Sequence, residues 1–386
     1  MSTHASSLPA DAEKPASSQW LSWVLVVTLI YLLLAAVGAI GDGFKMATGN
    51  NAKELFAFAT NPFIGLMIGL CSTALIQSSS TVTSIIVGMV AGGLPINIAI
   101  PLIMGANIGT SLTSTIVSLG HVRNGEEFRR AFSAATVHDA FNILAVFILL
   151  PLEIAFSPLQ HTAEALAGFV ASDTGVDMKS MNVMKMALSP ASDLLGGAVS
   201  WLPNKIWMGV SLIVIGVAMI LFVVSAIGKV LRTVMVGRAK DIMHRSIGRG
   251  PISGMASGMT ITVLVQSSST TTSLIVPLAG SGVFNLKQVY PFTLGTNIGT
   301  CITALLAATA ISGPTAILAM QIALVHLFFN VFGIAIIYLL PFLRGIPPMI
   351  ATKLAELAQR NKLYVLAYIG GVFFALPLIL ISATQL

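Results

Sequence analysis

Ionised side chains are scarce in this chain. Only 9% of its 386 residues are Asp, Glu, Lys or Arg, against about a quarter in a soluble domain. Residues 55–120 contain none of the four, and neither do residues 288–343. A soluble surface cannot be built from such runs, and each far exceeds the roughly 20 residues that one spanning helix needs. Cysteine is nearly missing too: Cys71 and Cys301 both fall in apolar sequence, which excludes a disulfide framework and reads as two small buried residues. No G-x-S-x-G nucleophile elbow occurs. The net charge of +6 resembles a nucleic-acid signal only until it is mapped. The excess sits in segments flanking apolar runs, so the expected partner is the lipid bilayer and no nucleic acid.

What is present is apolar sequence in span-length pieces, at about 20–40, 98–119, 131–151, 206–228, 288–310, 315–341 and 363–383. The first 19 residues are polar and rich in Ala and Ser, and are expected to form a disordered tail. They lack the basic start and small-residue cleavage site of a signal peptide, so 20–40 reads as a retained first span.

Against this background the tetrapeptide Gln-Ser-Ser-Ser occurs twice, at 77–80 and 266–269, each time inside apolar sequence. Its flanking arms are about 10–14 residues, roughly 15–21 Å as helix, too short for a ~30 Å hydrocarbon core. Short arms joined by a polar turn predict re-entrant hairpins at about 55–92 and 253–281. Loop charges orient them. Loop 229–250 carries Lys229, Arg232, Arg238, Lys240, Arg245 and Arg249 against Asp241, and loop 344–362 carries Arg344, Lys353, Arg360 and Lys362 against Glu356. Both are expected in the cytoplasm, while 152–205, with five acids and three bases, is expected outside. The first hairpin then enters from outside and the second from inside.

Further matches accompany the tetrapeptides. Gly69 and Gly258 each precede their Gln by eight residues, GANIGTSLTS (105–114) answers GTNIGTCITA (295–304), and VHDAFN (137–142) answers VHLFFN (325–330). The predicted fold is therefore an all-α integral membrane protein of two inverted repeats, each with a re-entrant helical hairpin carrying QSSS. Its expected parts are a tail (1–19), repeat one (20–151), an external linker (152–205), repeat two (206–341), and a cytoplasmic loop with a last span (342–386). Repeats of this kind are a hallmark of secondary transporters that bind near the midplane at broken helices.

Hydroxyls and an amide can coordinate a hard cation through oxygens, or hold an oxyanion through O–H and N–H donors. The second arm of each hairpin starts just after the motif, so its free N–H groups and positive dipole end would face the site. Asn107, Gly109 and Thr110, with Asn297, Gly299 and Thr300, form a second pair of polar breaks. Asp139 is the one acid well inside a span, but its counterpart is Leu327, which puts it outside the symmetric core. His138 with Asn142, and His326 with Asn330, each share a helix face and suit interhelical hydrogen bonding better than metal binding.

The duplicated QSSS, the GANIGTS/GTNIGT pair and the VHxxFN pair resemble the type II sodium/phosphate cotransporters, in a compact bacterial form, over about residues 20–341. The resemblance implies sodium-driven uptake of inorganic phosphate across the cell inner (cytoplasmic) membrane by alternating access, with Na+ as the co-transported ion. It implies phosphate between the tips, contacted by Ser78, Ser79, Thr81, Ser267, Ser268 and Thr271. It implies sodium on Gln77, Ser80, Gln266, Ser269 and Thr270, joined by Asn107, Thr110, Asn297 and Thr300. Arsenate, as a phosphate mimic, would share the site. Electrogenic animal members carry an Asp at about the position of Gly93, which puts a third sodium site in question here. The alternatives are a sodium-coupled transporter of another oxyanion and an intramembrane serine hydrolase, the latter poorly suited to two symmetric serine clusters.

Overall fold

With no water in a hydrocarbon core, a backbone must satisfy its own hydrogen bonds, and uncharged apolar runs therefore become helices. The computed structural model describes residues 16–49, 61–173 and 178–383, and no strand occurs among them. Seven helical stretches among these residues are long and apolar enough to cross a membrane: Trp20–Thr48, Ile96–His121, Gly125–Phe156, Lys205–Val234, Leu286–Thr309, Ala316–Tyr338 and Leu363–Ala383.

The first half of the chain comprises α1 (Ala16–Thr48), α2 (Pro62–Ile76), α3 (Ser79–Ala91), α4 (Ile96–Gly109), α5 (Leu112–Ser118) and α6 (Gly125–Phe156). Helices α7 (Pro158–Asp173) and α8 (Met178–Val199) lead to the second half. There α9 (Lys205–Ser246), α10 (Pro251–Val265), α11 (Ser268–Gly280), α12 (Leu286–Thr309) and α13 (Ala316–Gly333) follow in matching order. The chain closes with α14 (Ile346–Arg360), α15 (Leu363–Gly370) and α16 (Leu376–Ala383).

Several expectations change. The polar stretch 1–19 is not all tail: α1 already begins at Ala16, while residues 1–15 lie outside the described residues, as do 55–60 of the first hairpin. The segment 152–205 is largely helical, because its first residues complete α6 and α7 and α8 follow. The basic segment 229–250 is mostly the continuation of α9, whose 42 residues far outrun a bilayer core at about 1.5 Å per residue. The charges of 344–362 sit on α14, which buries Ala351, Ala355 and Ala358 along one face.

Packing repeats between the halves. Helix α2 lies along α4, and α10 along α12. Each pair approaches through two glycines: a Cβ on Gly69 would collide with the Leu102 carbonyl, one on Gly105 with that of Leu66, one on Gly258 with that of Phe292, and one on Gly295 with that of Met255. Close helix approach through small residues is the membrane substitute for hydrophobic drive. Helices α1 and α9 pack on one another through Gly43 and Gly209. The second arms cross over, α3 packing on α12 and α13, and α11 packing on α5 and α6. Each half thus holds the other's arm.

Candidate functional site

Each QSSS folds as a two-residue joint between two helices. Helices α2 and α10 are 15 residues long and start with Pro in the first turn, and α3 and α11 are 13 residues long, so no arm exceeds about 23 Å. Gln77 caps α2 in the left-handed region (φ 57°, ψ 29°), and Gln266 caps α10 likewise (φ 53°, ψ 30°). The next residue is the N-cap of the following helix. Ser78 Oγ accepts from Thr81 N (3.3 Å) and Ser267 Oγ from Thr270 N (3.2 Å), the usual serine solution to an orphan helix donor. Thr81 Oγ1 also donates to Ser78 Oγ at 2.8 Å. Gln266 is held at both ends, its Nε2 donating to Val263 O (2.8 Å) and its Oε1 accepting from Thr303 Oγ1 (3.0 Å).

The two tips face one cavity of about 290 Å3, lined by Gln77, Ser78, Ser79 and Ser80 from one half and Gln266, Ser267, Ser268, Ser269 and Thr270 from the other. Helices α3 and α11 begin in this lining, so the partial positive charge of both N-termini bears on it. The remaining wall is α9, which contributes Ser225, Gly228, Lys229 and Arg232. Arg232 Nη2 donates to Thr270 Oγ1 at 2.7 Å. Among the described residues no Asp or Glu lines the cavity. Hydroxyls, amides, helix starts and two cations around one small space are groups that can receive an anion and still offer oxygen ligands to a hard cation. A larger cavity of about 560 Å3 lies between α1, α8 and residues 310–315; none of the duplicated motifs reaches it.

The other predicted ligands stand behind the tips. Asn107 and Asn297 are buried and do not line the cavity. Asn297 Nδ2 donates to Asn142 Oδ1 (2.8 Å), and its Oδ1 meets His138 Nε2. Asn107 Oδ1 accepts from Asn330 Nδ2 (3.3 Å) and lies 3.4 Å from His326 Nε2, while Asn107 O accepts from Asn142 Nδ2 (2.9 Å). Each NIGT asparagine is thus gripped by the His/Asn pair of the other half. Thr110 and Thr300 turn their hydroxyls back to Ala106 O (3.1 Å) and Thr296 O (2.9 Å), and Thr271 to Ser267 O (3.0 Å). The NIGT pair is also not two breaks. Helix α4 stops at Gly109, whereas α12 runs unbroken to Thr309. The first copy has Ser111 and Ser114 where the second has Cys301 and Ala304, and both serines bond to local carbonyls, competing with the helix ladder.

Asp139 is fully buried; Tyr368 OH of α15 donates to its Oδ2 at 2.8 Å and Thr115 Oγ1 approaches at 3.5 Å. Arg130, near it in sequence, instead donates to Gly280 O at 2.8 Å. His138 and His326 bond to asparagines, and among the described residues no histidine hydrogen-bonds a serine of either motif. Among the described residues, the serines of the two motifs therefore have no histidine beside them in the role of an oriented base.

The structure brings Gln77, Ser78, Ser79, Ser80, Gln266, Ser267, Ser268, Ser269 and Thr270 together, and leaves Thr81, Thr271, Asn107, Thr110, Asn297 and Thr300 outside the lining. Lys229 and Arg232 join the lining, and Thr303 bonds Gln266 from behind it; none of the three stands out as a site residue in the sequence. Thr73 and Thr262, one turn before each Gln, also carry buried hydroxyls with no hydrogen-bond partner among the described residues, though neither lines the cavity.

A family model described as Na+/Pi-cotransporter matches residues 32–185 and 219–381. Sodium-dependent phosphate transport protein 2A of Oryctolagus cuniculus is 34% identical over 423 residues, covering 92% of this chain and 66% of the relative. Sodium-dependent phosphate transport protein 2B of Homo sapiens is 30% identical over 442 residues, covering 92% and 64%. The chain spans just under two thirds of the length of these relatives. No solved structure matches it.

Proposed function

The chain belongs to the Na+/Pi-cotransporter family, and from that premise we propose that it is a secondary transporter coupling sodium influx to uptake of inorganic phosphate across the cytoplasmic membrane. The observation that carries the reading is the convergence of both QSSS tips, Lys229 and Arg232 on one cavity. Ser78, Ser79, Ser267 and Ser268 hold the phosphate oxygens, aided by the N-termini of α3 and α11; Thr81 and Thr271 stiffen the first turns of those helices. Gln77, Ser80, Gln266, Ser269 and Thr270 offer oxygens to sodium, with Thr303 beside Gln266. Asn107, Thr110, Asn297 and Thr300 act one layer back, positioning the tips.

The short arms are re-entrant hairpins, and the halves are inverted repeats. Helix α9 lines the cavity with its basic end, which the positive-inside rule assigns to the cytoplasm; the cavity is accordingly the cytoplasm-facing form of an alternating-access site. Arsenate enters by the same route. Purified protein in liposomes should accumulate labelled phosphate only under an inward sodium gradient. Equal accumulation with potassium in place of sodium would overturn the coupling.

A further inference from the structure

Ser225, Gly228, Lys229 and Arg232 recur at the three- and four-residue spacing of one helix face, and all four line the cavity that holds the tips. The guanidinium of Arg232 presents five N–H donors, of which one is used, toward Thr270 Oγ1. Among the described residues neither Arg232 nor Lys229 has a carboxylate partner. A cation steered by a hydroxyl of one tip, without a counter-ion and facing serines of both tips, is a charge waiting for an anion. We propose that Arg232, with Lys229 beside it, is an anion-contacting residue of the site, its planar fork donating to the oxyanion held between the tips. The inference rests on the function proposed above and adds a third element, α9, to a site otherwise made of the two duplicated motifs.

The plain rival is a strut: Arg232 would only tie α9 to the second tip through Thr270. The two differ in what each substitution removes. Arg232→Gln keeps an N–H donor and loses the charge. Arg232→Lys keeps the charge and loses the fork, which an ammonium does not replace at a planar oxyanion edge. Thr270→Val removes the strut and leaves the Arg232 cation; the sodium oxygen it also removes would show as a shifted sodium midpoint, a separate readout from the phosphate KM.

Labelled phosphate uptake into liposomes, at saturating inward sodium, reads the difference. Arg232→Gln should raise the phosphate KM by about tenfold or more, as expected for a lost charge-assisted hydrogen bond, with the sodium activation midpoint little moved. Arg232→Lys should fall between it and wild type. An unchanged phosphate KM in Arg232→Gln overturns the inference. So does a lowered maximal rate at unchanged KM shared by Arg232→Gln, Arg232→Lys and Thr270→Val, which is the signature of a strut.

Thermal stabilisation of the purified protein by inorganic phosphate separates this failure from failure of the transport reading. If wild type is stabilised and Arg232→Gln is not, while neither accumulates phosphate, the anion contact stands and the transport reading falls. Equal stabilisation of both overturns the contact alone. Neither stabilisation nor uptake in wild type sinks both.

Discussion

Glutamine has no ease in the left-handed region, yet Gln77 and Gln266 both occupy it, against a preference of about 1–2 kcal/mol for a residue with a Cβ. Strain repeated at two equivalent positions inside a lined cavity points to a side chain that is needed there. Gln77→Gly and Gln266→Gly remove the strain and the amide together. Gln77→Gly should leave melting temperature in detergent unchanged or slightly raised, Gln266→Gly should offset that gain by losing the bonds to Val263 O and Thr303 Oγ1, and phosphate uptake should collapse in both. Near-normal uptake in both would reduce the glutamines to turn residues. Gly93 behaves in the opposite way: its φ of 118° suits glycine alone, so grafting an Asp there should lower stability before it can add a cation site. At this scale the motif serines were legible because hydroxyls stand out in apolar sequence. Arg232 was not, since a basic residue at the end of an apolar run is already explained by membrane orientation. Thr303 meets Gln266 from 37 residues away, a distance no local pattern carries.

At the scale of elements, the tips are held by helices that do not touch the cavity. Asn297 on α12 is gripped by His138 and Asn142 on α6, and Asn107 on α4 by His326 and Asn330 on α13. Removing one partner leaves buried polar atoms unpaired, at about 1–3 kcal/mol. His138→Ala and Asn297→Ala should each destabilise by that order, and the double variant by clearly less than their sum. Thermal unfolding of the four proteins measures the coupling, and strict additivity would mean that the pair is not a unit. Gly105→Ala and Gly295→Ala should destabilise comparably, because in both a backbone carbonyl of the facing arm must move. The spans Ile96–His121, Leu286–Thr309, Ala316–Tyr338 and Leu363–Ala383 were readable almost to the residue, since uncharged runs leave the backbone no other choice, whereas α1, α6 and α9 run well past the ends that their apolar runs mark. Helices α7, α8 and α14 were not, because their charges look like loop charges until one face is seen to be buried, as Ala351, Ala355 and Ala358 are. The pattern also could not tell that NIGT would break one helix and spare its counterpart.

Over the whole molecule, the two halves are interlocked: α3 lies against α12 and α13, and α11 against α5 and α6. In the proposed transport cycle the crossed arms would move as bodies with their partners, closing the site on one side as it opens on the other. With glycine at position 93 and no carboxylate in the lining among the described residues, the proposed transport cycle should be electroneutral. Phosphate uptake by reconstituted protein should then draw no net current and be indifferent to an imposed membrane potential. A sodium-dependent current that follows uptake would require a further cation outside the cavity described.

If the two QSSS motifs make one site, they share one phosphate. Equilibrium binding of labelled phosphate to purified protein in sodium tests it most directly. One phosphate per chain should bind to wild type, and Ser79→Ala and Ser268→Ala, one at each tip, should each weaken that single event. Two phosphates per chain, or loss of one with the other untouched in each variant, would contradict it.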